Sequence, residues 1–215
     1  VVKDLDGIPG DEVAVTEGLG ELPGEQSNTG LIHIYGLPEG DEGGEEEEED
    51  AFELVKRETY GGTSYNEFFG ISLAFVGDQD GDGVEDMLVF SSRDDSLGYD
   101  VGRPFLVHRK SELPNIPFEF PGLASGQHFG YAVKLVPDLT GDGIEDALVG
   151  ERYYGNIAHG LKTGRVSLYA GNANGLDPEA LVTWQSFVGF STATLSGSFD
   201  YLGADVSYAG DFNGD

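Results

Sequence analysis

The sequence predicts an all-β fold built from a repeated antiparallel unit. Three observations support this prediction: 34 glycines and many aromatic residues among 215, no long apolar pattern with a helical period, and an aspartate-rich loop that recurs along the chain. Glycine supplies tight turns between strands, and aromatic side chains suit the pleated surface of a sheet. A chain of this length can bury a sizeable core.

The best preserved copy of the recurring loop spans residues 78–86 and has the ligand pattern of a hard-cation site. Its aspartates occupy positions 1, 3, 5 and 9, at Asp78, Asp80, Asp82 and Asp86. Oxygen donors at alternate positions can turn inward together, and the carbonyl of Val84 can join them. Gly83 permits the sharp turn that this arrangement needs.

The residues around this loop indicate strands and not the helices of an EF-hand. An EF-hand has an acidic ligand at position 12 of its loop, where this chain has Val89. The flanking stretches 71–76 and 87–90 are short, apolar and rich in β-branched or aromatic residues, which predicts strands. The alternative, an acidic solvated turn without an ion, stays open at this point.

The loop recurs with a spacing that predicts one structural unit per repeat. A second copy spans residues 138–146, a third begins at 211, and a degraded copy spans 4–12, so the periods are 74, 60 and 73 residues. Each of the three later copies is preceded by an aromatic or apolar residue and a glycine, with the glycine eight residues before the first aspartate. These pairs are Phe69-Gly70, Phe129-Gly130 and Leu202-Gly203.

Each period contains four predicted strands. In the best preserved period they lie at 130–136, 146–150, 164–171 and 181–187. Matching third and fourth strands lie at 31–36 and 52–56 in the first period, and at 105–108 and 117–120 in the second. Repeated four-stranded antiparallel units of this length are the blades of a β-propeller, which closes with about four to eight of them.

The domain organisation follows from these repeats. Residues 1–215 are interpreted as one propeller fragment of about three blade equivalents, with repeat phases beginning near 1, 70, 130 and 203. The rest of a larger ring is expected from further blades or from associated copies. An acidic insertion at residues 38–50 interrupts the first period, either as a solvated hairpin loop or as a contact surface for cations or a basic partner.

Composition excludes several classes of function. The net charge of −29, from 40 acidic and 11 basic residues, disfavours binding to nucleic acid and to anionic membrane surfaces. No apolar run approaches the roughly twenty residues of a membrane-spanning helix, so direct membrane insertion is not expected. The chain has no cysteine, but weak oxygen-lined calcium sites are typical of extracellular modules.

The repeated motifs resemble the FG-GAP repeats of integrin α-subunit propellers and of related extracellular and bacterial proteins. In that family the loop joins the first two strands of a blade and binds Ca²⁺, so the resemblance implies two intact calcium sites. The first set is Asp78, Asp80, Asp82, the Val84 carbonyl and Asp86. The second set is Asp138, Thr140, Asp142, the Ile144 carbonyl and Asp146.

The chain also departs from the family pattern. The Gly-Ala-Pro that names the repeat is absent, and Thr140 replaces a carboxylate, which predicts weaker binding at the second site. The first copy is expected to hold no ion, because Ile8 removes the position-5 oxygen and Glu12 replaces the closing aspartate. The last copy is cut short and offers only Asp211, Asn213 and Asp215.

These features predict a protein that is not an enzyme. The sequence lacks a nucleophile elbow, a zinc-protease motif and cysteine, and His33, His108 and His128 are interpreted as structural or surface residues, the first two at related strand positions. We expect an extracellular calcium-binding module that mediates protein interaction or adhesion, or a structural part of a surface or filament assembly with neighbouring subunits.

Two alternatives remain from the sequence. A carbohydrate-binding propeller would expose aromatic rings such as Tyr153, Tyr154 or Trp184 between its blades, although Trp184 is expected to pack between sheets. A non-catalytic domain attached to an enzyme outside the fragment is the other alternative, because a fold alone does not determine function.

Overall fold

The regular secondary structure of the described residues consists of β-strands, as the sequence predicts. The computed structural model describes residues 2–3, 12–24, 28–36, 54–109, 116–117, 125–155, 162–172, 175–185 and 199–209. Within these ranges there is no helix long and apolar enough to cross a membrane. The acidic insertion at 38–50 lies outside the described residues, as do residues 4–11 of the first loop and 211–215 of the last.

Three antiparallel sheets of four consecutive strands form three blades. Blade 1 contains β1 (Val2–Lys3), β2 (Glu12–Glu17), β3 (Leu31–Gly36) and β4 (Val55–Gly61). Blade 2 contains β5 (Phe69–Phe75), β6 (Met87–Ser91), β7 (Arg103–Val107) and β8 (Ile116–Pro117). Blade 3 contains β9 (Phe129–Val136), β10 (Asp146–Glu151), β11 (Lys162–Asn172) and β12 (Gly175–Gln185). The prediction of four-stranded propeller blades is therefore confirmed.

A further strand continues the repeat beyond blade 3. Strand β13 (Phe199–Leu202) runs parallel to the beginning of β11, pairing Lys162 with Phe199 and Gly164 with Leu202. It ends at Leu202, the first residue of the variant Leu202-Gly203 pair, whereas β5 and β9 begin at the phenylalanine of the corresponding pairs.

The hydrophobic core lies between the faces of neighbouring blades. One cluster joins Ile32 and Ile34 of blade 1 to Phe69, Met87 and Val107 of blade 2. A second cluster joins blades 2 and 3, with members Leu88, Phe90, Phe129, Ala147, Val149, Tyr169 and Leu176. Fully burying each large apolar side chain stabilises the fold by roughly 1.5–3 kcal/mol, so these two interfaces hold the blades together.

The Phe-Gly pairs are the points where one blade meets the backbone of its neighbour. Gly130 has φ of 76°, and a Cβ there would lie 1.9 Å from Cδ1 of Phe90 in blade 2. Gly102, just before β7, has φ of 85°, and a Cβ there would lie 2.4 Å from the carbonyl oxygen of Phe129. Both positions need a positive φ and no side chain, which only glycine provides without strain.

Candidate metal centres

The loop at residues 77–86 joins β5 to β6 and is closed at its base by main-chain hydrogen bonds. Val76 N donates to Asp86 O over 3.0 Å, and Asp86 N donates to Gly77 O over 2.9 Å. Within the loop, the Asp78 carboxylate accepts from Gly81 N at 2.6 Å and from Gly83 N at 2.8 Å. The loop is therefore wrapped around the first of its aspartates.

The second loop, at residues 137–145, has the same internal geometry between β9 and β10. Asp138 accepts from Gly141 N and from Gly143 N, each over 2.6 Å, and Asp142 accepts from Ile144 N over 2.9 Å. The Thr140 hydroxyl donates to Asp138 over 3.2 Å, where the first loop has the carboxylate of Asp80. The second loop thus has a neutral hydroxyl, hydrogen-bonded to Asp138, at the position where the first loop has the negative charge of Asp80.

Both position-1 aspartates are held as carboxylates. The backbone N–H of Gly83 is the largest cause that lowers the pKa of Asp78, and Gly143 has the same effect on Asp138. Hydrogen bonds donated to the charged form favour that form. Each loop therefore keeps an ionised aspartate in its centre.

The closing aspartates at position 9 are fully buried and tie each loop to the third strand of its blade. Asp86 accepts from Arg109 N at 3.0 Å and from Gln79 N at 2.8 Å. Asp146 accepts from Gly171 N at 3.0 Å and from Leu139 N at 2.8 Å. Each carboxylate oxygen has about two lone pairs, so these bonds leave acceptor capacity for a cation.

The donor set of the first loop fits a divalent cation. Ligand oxygens of Asp78, Asp80 and Asp82 all lie within 4.8 Å of one another. Asp80 and Asp86 form a second group of the same size with His108. Aspartate oxygens that converge from alternate positions of a loop are the ligands that Ca²⁺ prefers.

The degraded copy in blade 1 has a different partner at position 9. Glu12, which is 1% exposed, accepts from Arg57 Nη1 over 3.2 Å. The corresponding acids of blades 2 and 3 accept backbone N–H groups. An arginine side chain therefore compensates the buried acid in the copy that is expected to hold no ion.

His108 is a member of the first candidate site that the sequence does not reveal. Its Nδ1 lies 3.1 Å from Asp86 Oδ2 and 3.7 Å from Asp80 Oδ2, and its side chain is 6% exposed. His33 lies inside β3, where it pairs with Thr59 of β4, whereas His108 follows the end of β7. The two histidines therefore do not occupy equivalent positions in their blades. The interpretation of these two histidines as related is therefore wrong.

The opposite end of blades 2 and 3 carries a cluster of cations stacked on aromatic rings, here called the arginine–tyrosine end. The guanidinium of Arg152 lies 4.5–5.1 Å from the ring centroids of Tyr131, Tyr153 and Tyr201. Lys162 lies over Tyr153 at 3.9 Å, and Arg165 lies over Tyr154 at 4.0 Å. Stacked cations of this kind are attracted by the negative face of the ring.

The arginine–tyrosine end also contains buried acids with arginine partners. Glu151 is fully buried and pairs with Arg165, whose Nε lies 2.8 Å from Glu151 Oε1. Burial raises the pKa of Glu151, and the neighbouring Arg165 opposes that shift. In blade 2, Asp100 similarly accepts from Arg93 Nε over 3.0 Å.

His128 stands among these charges as a neutral imidazole. Its Nε2 lies 3.6 Å from Asp100 Oδ2, which favours the protonated form. Burial outweighs that attraction and lowers the pKa of His128 to about 4, with smaller contributions from Arg93, Lys162 and Arg152. The positive charge of this end is therefore supplied by arginine and lysine.

The exposed aromatics considered for sugar binding have other surroundings. The rings of Tyr153 and Tyr154 are half-buried beneath Lys162 and Arg165 of the same chain. Trp184 is 49% exposed on β12, in contrast to its expected packing between sheets. The reason is its position on the outermost strand of blade 3, where residues 177–185 are all exposed.

Comparison with known proteins shows that the sequence is similar to those of integrin α chains. No protein-family model matches it. It is 33% identical to Integrin alpha-PS2 of Drosophila melanogaster over 109 residues, which are 46% of this chain and 8% of that relative. It is 32% identical to Integrin alpha-PS5 of Drosophila melanogaster over 162 residues, which are 73% of this chain and 14% of that relative.

A vertebrate relative extends this similarity along the chain. Integrin alpha-E of Mus musculus is 28% identical over 179 residues, which are 80% of this chain and 14% of that relative. The chain thus spans at most 14% of the length of these three relatives.

Proposed function

We propose that this chain, which belongs to the integrin α-like FG-GAP β-propellers, is a calcium-stabilised module of an extracellular adhesion protein. The observation that carries the proposal is the pair of loops with one geometry, each joining the first two strands of its blade at the same end. Two loops with this shared backbone geometry on neighbouring blades favour a shared structural role over a single reactive centre.

The proposed ligands are those that the sequence predicts. Calcium in the first loop would be held by Asp78, Asp80, Asp82, the Val84 carbonyl and Asp86. In the second loop it would be held by Asp138, Thr140, Asp142, the Ile144 carbonyl and Asp146. Bound calcium would supply positive charge that cancels the repulsion among these oxygens. The truncated copy at Asp211, Asn213 and Asp215 remains a further predicted site.

The buried closing aspartates explain how such a loop would stabilise a blade. Asp86 and Asp146 each join the loop to the third strand through a backbone N–H group. A cation between the loop aspartates and this buried carboxylate would connect the first, second and third strands of the blade. Because the ion would connect strands and would contact no reacting group, we infer that its role is structural and not catalytic.

The arginine–tyrosine end is the surface that we propose for protein contacts. Arginine and tyrosine are enriched at the centres of protein interfaces, where they contribute a large share of the binding energy. This end gathers Arg152, Lys162 and Arg165 in a chain with 40 acidic and only 11 basic residues. A partner protein with acidic side chains would complement it.

Calcium titration of the full-length protein tests the cation sites. Asp82→Asn and Asp142→Asn should each abolish high-affinity binding at one loop, and the exposed Asp205, which is in neither loop, provides the matched control Asp205→Asn. Unchanged calcium stoichiometry in both loop variants would contradict the proposal.

Adhesion of cells that display the full-length protein tests the proposed role. Adhesion to surfaces coated with extracellular proteins should require calcium and should fall in Arg152→Ser. The matched control is Lys134→Ser, which removes an exposed cation from β9 of the same blade. If neither chelator nor Arg152→Ser reduces adhesion, this module is not the adhesive element.

A further inference from the structure

We propose that His108 supplies a nitrogen ligand to the cation of the first loop, so that this loop binds a transition-series dication such as Mn²⁺ or Zn²⁺ more tightly than the second loop does. The inference rests on the proposed cation binding and adds one ligand to one of the two sites. It concerns a residue that lies outside the nine-residue ligand pattern.

His108 is fixed beside the loop by the backbone that follows β7. The next residue, Arg109, donates its N–H to Asp86 Oδ1 over 3.0 Å. The guanidinium of Arg109 is fully buried and pairs with Glu58 of blade 1, with its Nη2 2.6 Å from Glu58 Oε1. The segment that carries the imidazole is therefore anchored on both sides of the blade interface.

The spacing of the three side chains suits a small coordination sphere. His108 Nδ1 lies 3.1 Å from Asp86 Oδ2 and 3.7 Å from Asp80 Oδ2. Ligands about 2.1 Å from an ion are about 3.0 Å apart at octahedral angles and about 3.4 Å apart at tetrahedral angles. The observed separations can therefore accommodate an ion with only small side-chain movements.

The chemistry of the group distinguishes it from an ordinary calcium site. Ca²⁺ takes oxygen ligands almost exclusively, whereas imidazole nitrogen suits Zn²⁺ and neighbouring transition metals. Asp86 is 0% exposed and His108 is 7% exposed, so water competes weakly at these two ligands. The backbone N–H groups of Gln79 and Arg109 orient the Asp86 carboxylate in the way that outer-sphere partners orient metal ligands.

The second loop is the internal comparison, because it lacks this nitrogen. Pairing of Met87 with Val107 in blade 2 matches pairing of Ala147 with Tyr169 in blade 3. The residue that corresponds to His108 is therefore Ala170. The two loops share their backbone geometry. Their candidate ligand side chains differ at position 3 and at the residue that corresponds to His108, which is Gly36 in blade 1.

Electron spin-echo spectroscopy of bound Mn²⁺ tests for the nitrogen ligand directly. The full-length protein with Asp142→Asn, which weakens the second loop, would be loaded with Mn²⁺ before and after ¹⁵N-histidine labelling. We expect an imidazole nitrogen coupling that changes isotope with the label and disappears in Asp82→Asn. Bound Mn²⁺ in the first loop without this coupling would overturn the proposal, and the result does not require a folded His108 variant.

Competition binding then separates a ligand from a hydrogen-bond donor that only orients Asp86. His108→Gln should weaken Mn²⁺ and Zn²⁺ binding by at least about tenfold more than Ca²⁺ binding, since even outer-sphere partners contribute about 10–100-fold to metal affinity. Equal weakening of all three ions would assign a positioning role and overturn the proposal. If no ion binds the first loop, the calcium titration described above fails as well.

A reciprocal variant tests whether the imidazole ligand can be introduced into the second loop, in blade 3. Thr140→Asp combined with Ala170→His would give the second loop the same candidate ligand side chains as the first. We expect it to gain the imidazole nitrogen coupling and a higher ratio of Mn²⁺ to Ca²⁺ affinity, relative to Thr140→Asp alone. A double variant that behaves like the single variant would contradict the assignment of His108 as a ligand.

Discussion

The two ends of blades 2 and 3 stabilise their carboxylates in different ways. At the arginine–tyrosine end, acids such as Glu151 and Asp100 pair with arginine side chains. At the loop end, Asp78 and Asp138 accept hydrogen bonds from backbone N–H groups. A backbone N–H favours the carboxylate but adds no net charge, so the loop end keeps its negative charge, which the proposed cations would balance.

Removal of calcium should have the largest effect, and it should act at the loop end alone. Mass action contributes about 2.7 kcal/mol per site when free ion is a hundredfold above its dissociation constant, so two sites contribute about 5 kcal/mol. This corresponds to roughly 10–20 °C in the melting temperature of a unit of this size. Calorimetry of the full-length protein with and without chelator measures it.

A control separates the two ends in the same experiment. The variant carrying Asp82→Asn and Asp142→Asn should show a much smaller change in melting temperature when chelator is added, because both intact loops have been disabled. If the melting temperature of the wild type is also independent of calcium, the loop end does not depend on a bound cation, and the proposed difference between the two ends is wrong.

The loop end could be predicted from the sequence because its pattern is local. All oxygen ligands proposed for the first site lie within nine consecutive residues, and the pattern repeats at 138–146. His108 escaped prediction because it reaches Asp86 across 22 positions through the pairing of β6 with β7. A single sequence contains no local signal for such a contact.

The arginine–tyrosine end was not predicted for the same physical reason. Arg152 stacks on Tyr131 from β9 and on Tyr201 from β13, which only the closure of the sheet brings together. The Phe-Gly pairs were recognised as a repeat, but the reason for glycine at 130 is the Phe90 ring of the preceding blade. Strand periodicity predicted the blades, and contacts between blades required the structure.

Loss of the Arg165 guanidinium should have the next largest effect. Arg165→Met leaves Glu151, which is 0% exposed, without its arginine partner. Removing one member of a buried ion pair costs about 3–5 kcal/mol, because the remaining charge stays desolvated. Chemical denaturation measures the loss, with Lys134→Met as a control at an exposed cation of the same blade.

A second variant distinguishes charge from packing at this site. Combining Arg165→Met with Glu151→Gln removes the buried charge and should recover much of the lost stability. If the double variant is as unstable as Arg165→Met alone, stacking of the Arg165 guanidinium on Tyr154 would account for the effect instead.

Acidification should weaken the arginine–tyrosine end through His128. Its pKa is about 4 in the folded protein, below the ordinary value of 6.5, so the unfolded chain takes up the proton first as pH falls. The stabilisation is complete above about pH 6.5 and is lost as pH falls towards 4. After allowance for solvent access, the effect is on the order of 2 kcal/mol.

The difference between wild type and His128→Gln isolates this contribution from other acids. The melting temperature should decrease more between pH 7 and pH 5 in the wild type than in the variant. An equal fall in both proteins would mean that His128 is as easily protonated in the folded state as in the unfolded state.

Exchange of the position-3 residues should produce the smallest effect, and it compares the two loops directly. Asp80→Thr removes a carboxylate from the first loop, and Thr140→Asp adds one to the second. Calcium affinity rises with the number of charged ligands in a loop. We expect each change to shift the calcium dissociation constant of its own loop by on the order of tenfold, or about 1.4 kcal/mol, in opposite directions.

Calorimetric titration of the two single variants and their combination tests the exchange. In the combination the order of the two affinities should invert, because the backbone hydrogen bonds around Asp78 and Asp138 are nearly identical in length. Asn at either position provides the control, since it keeps an oxygen ligand and removes only the charge. If Asp80→Asn binds calcium like the wild type, the loops differ through their surroundings, and the buried contacts of Asp86 with His108 become the cause to pursue.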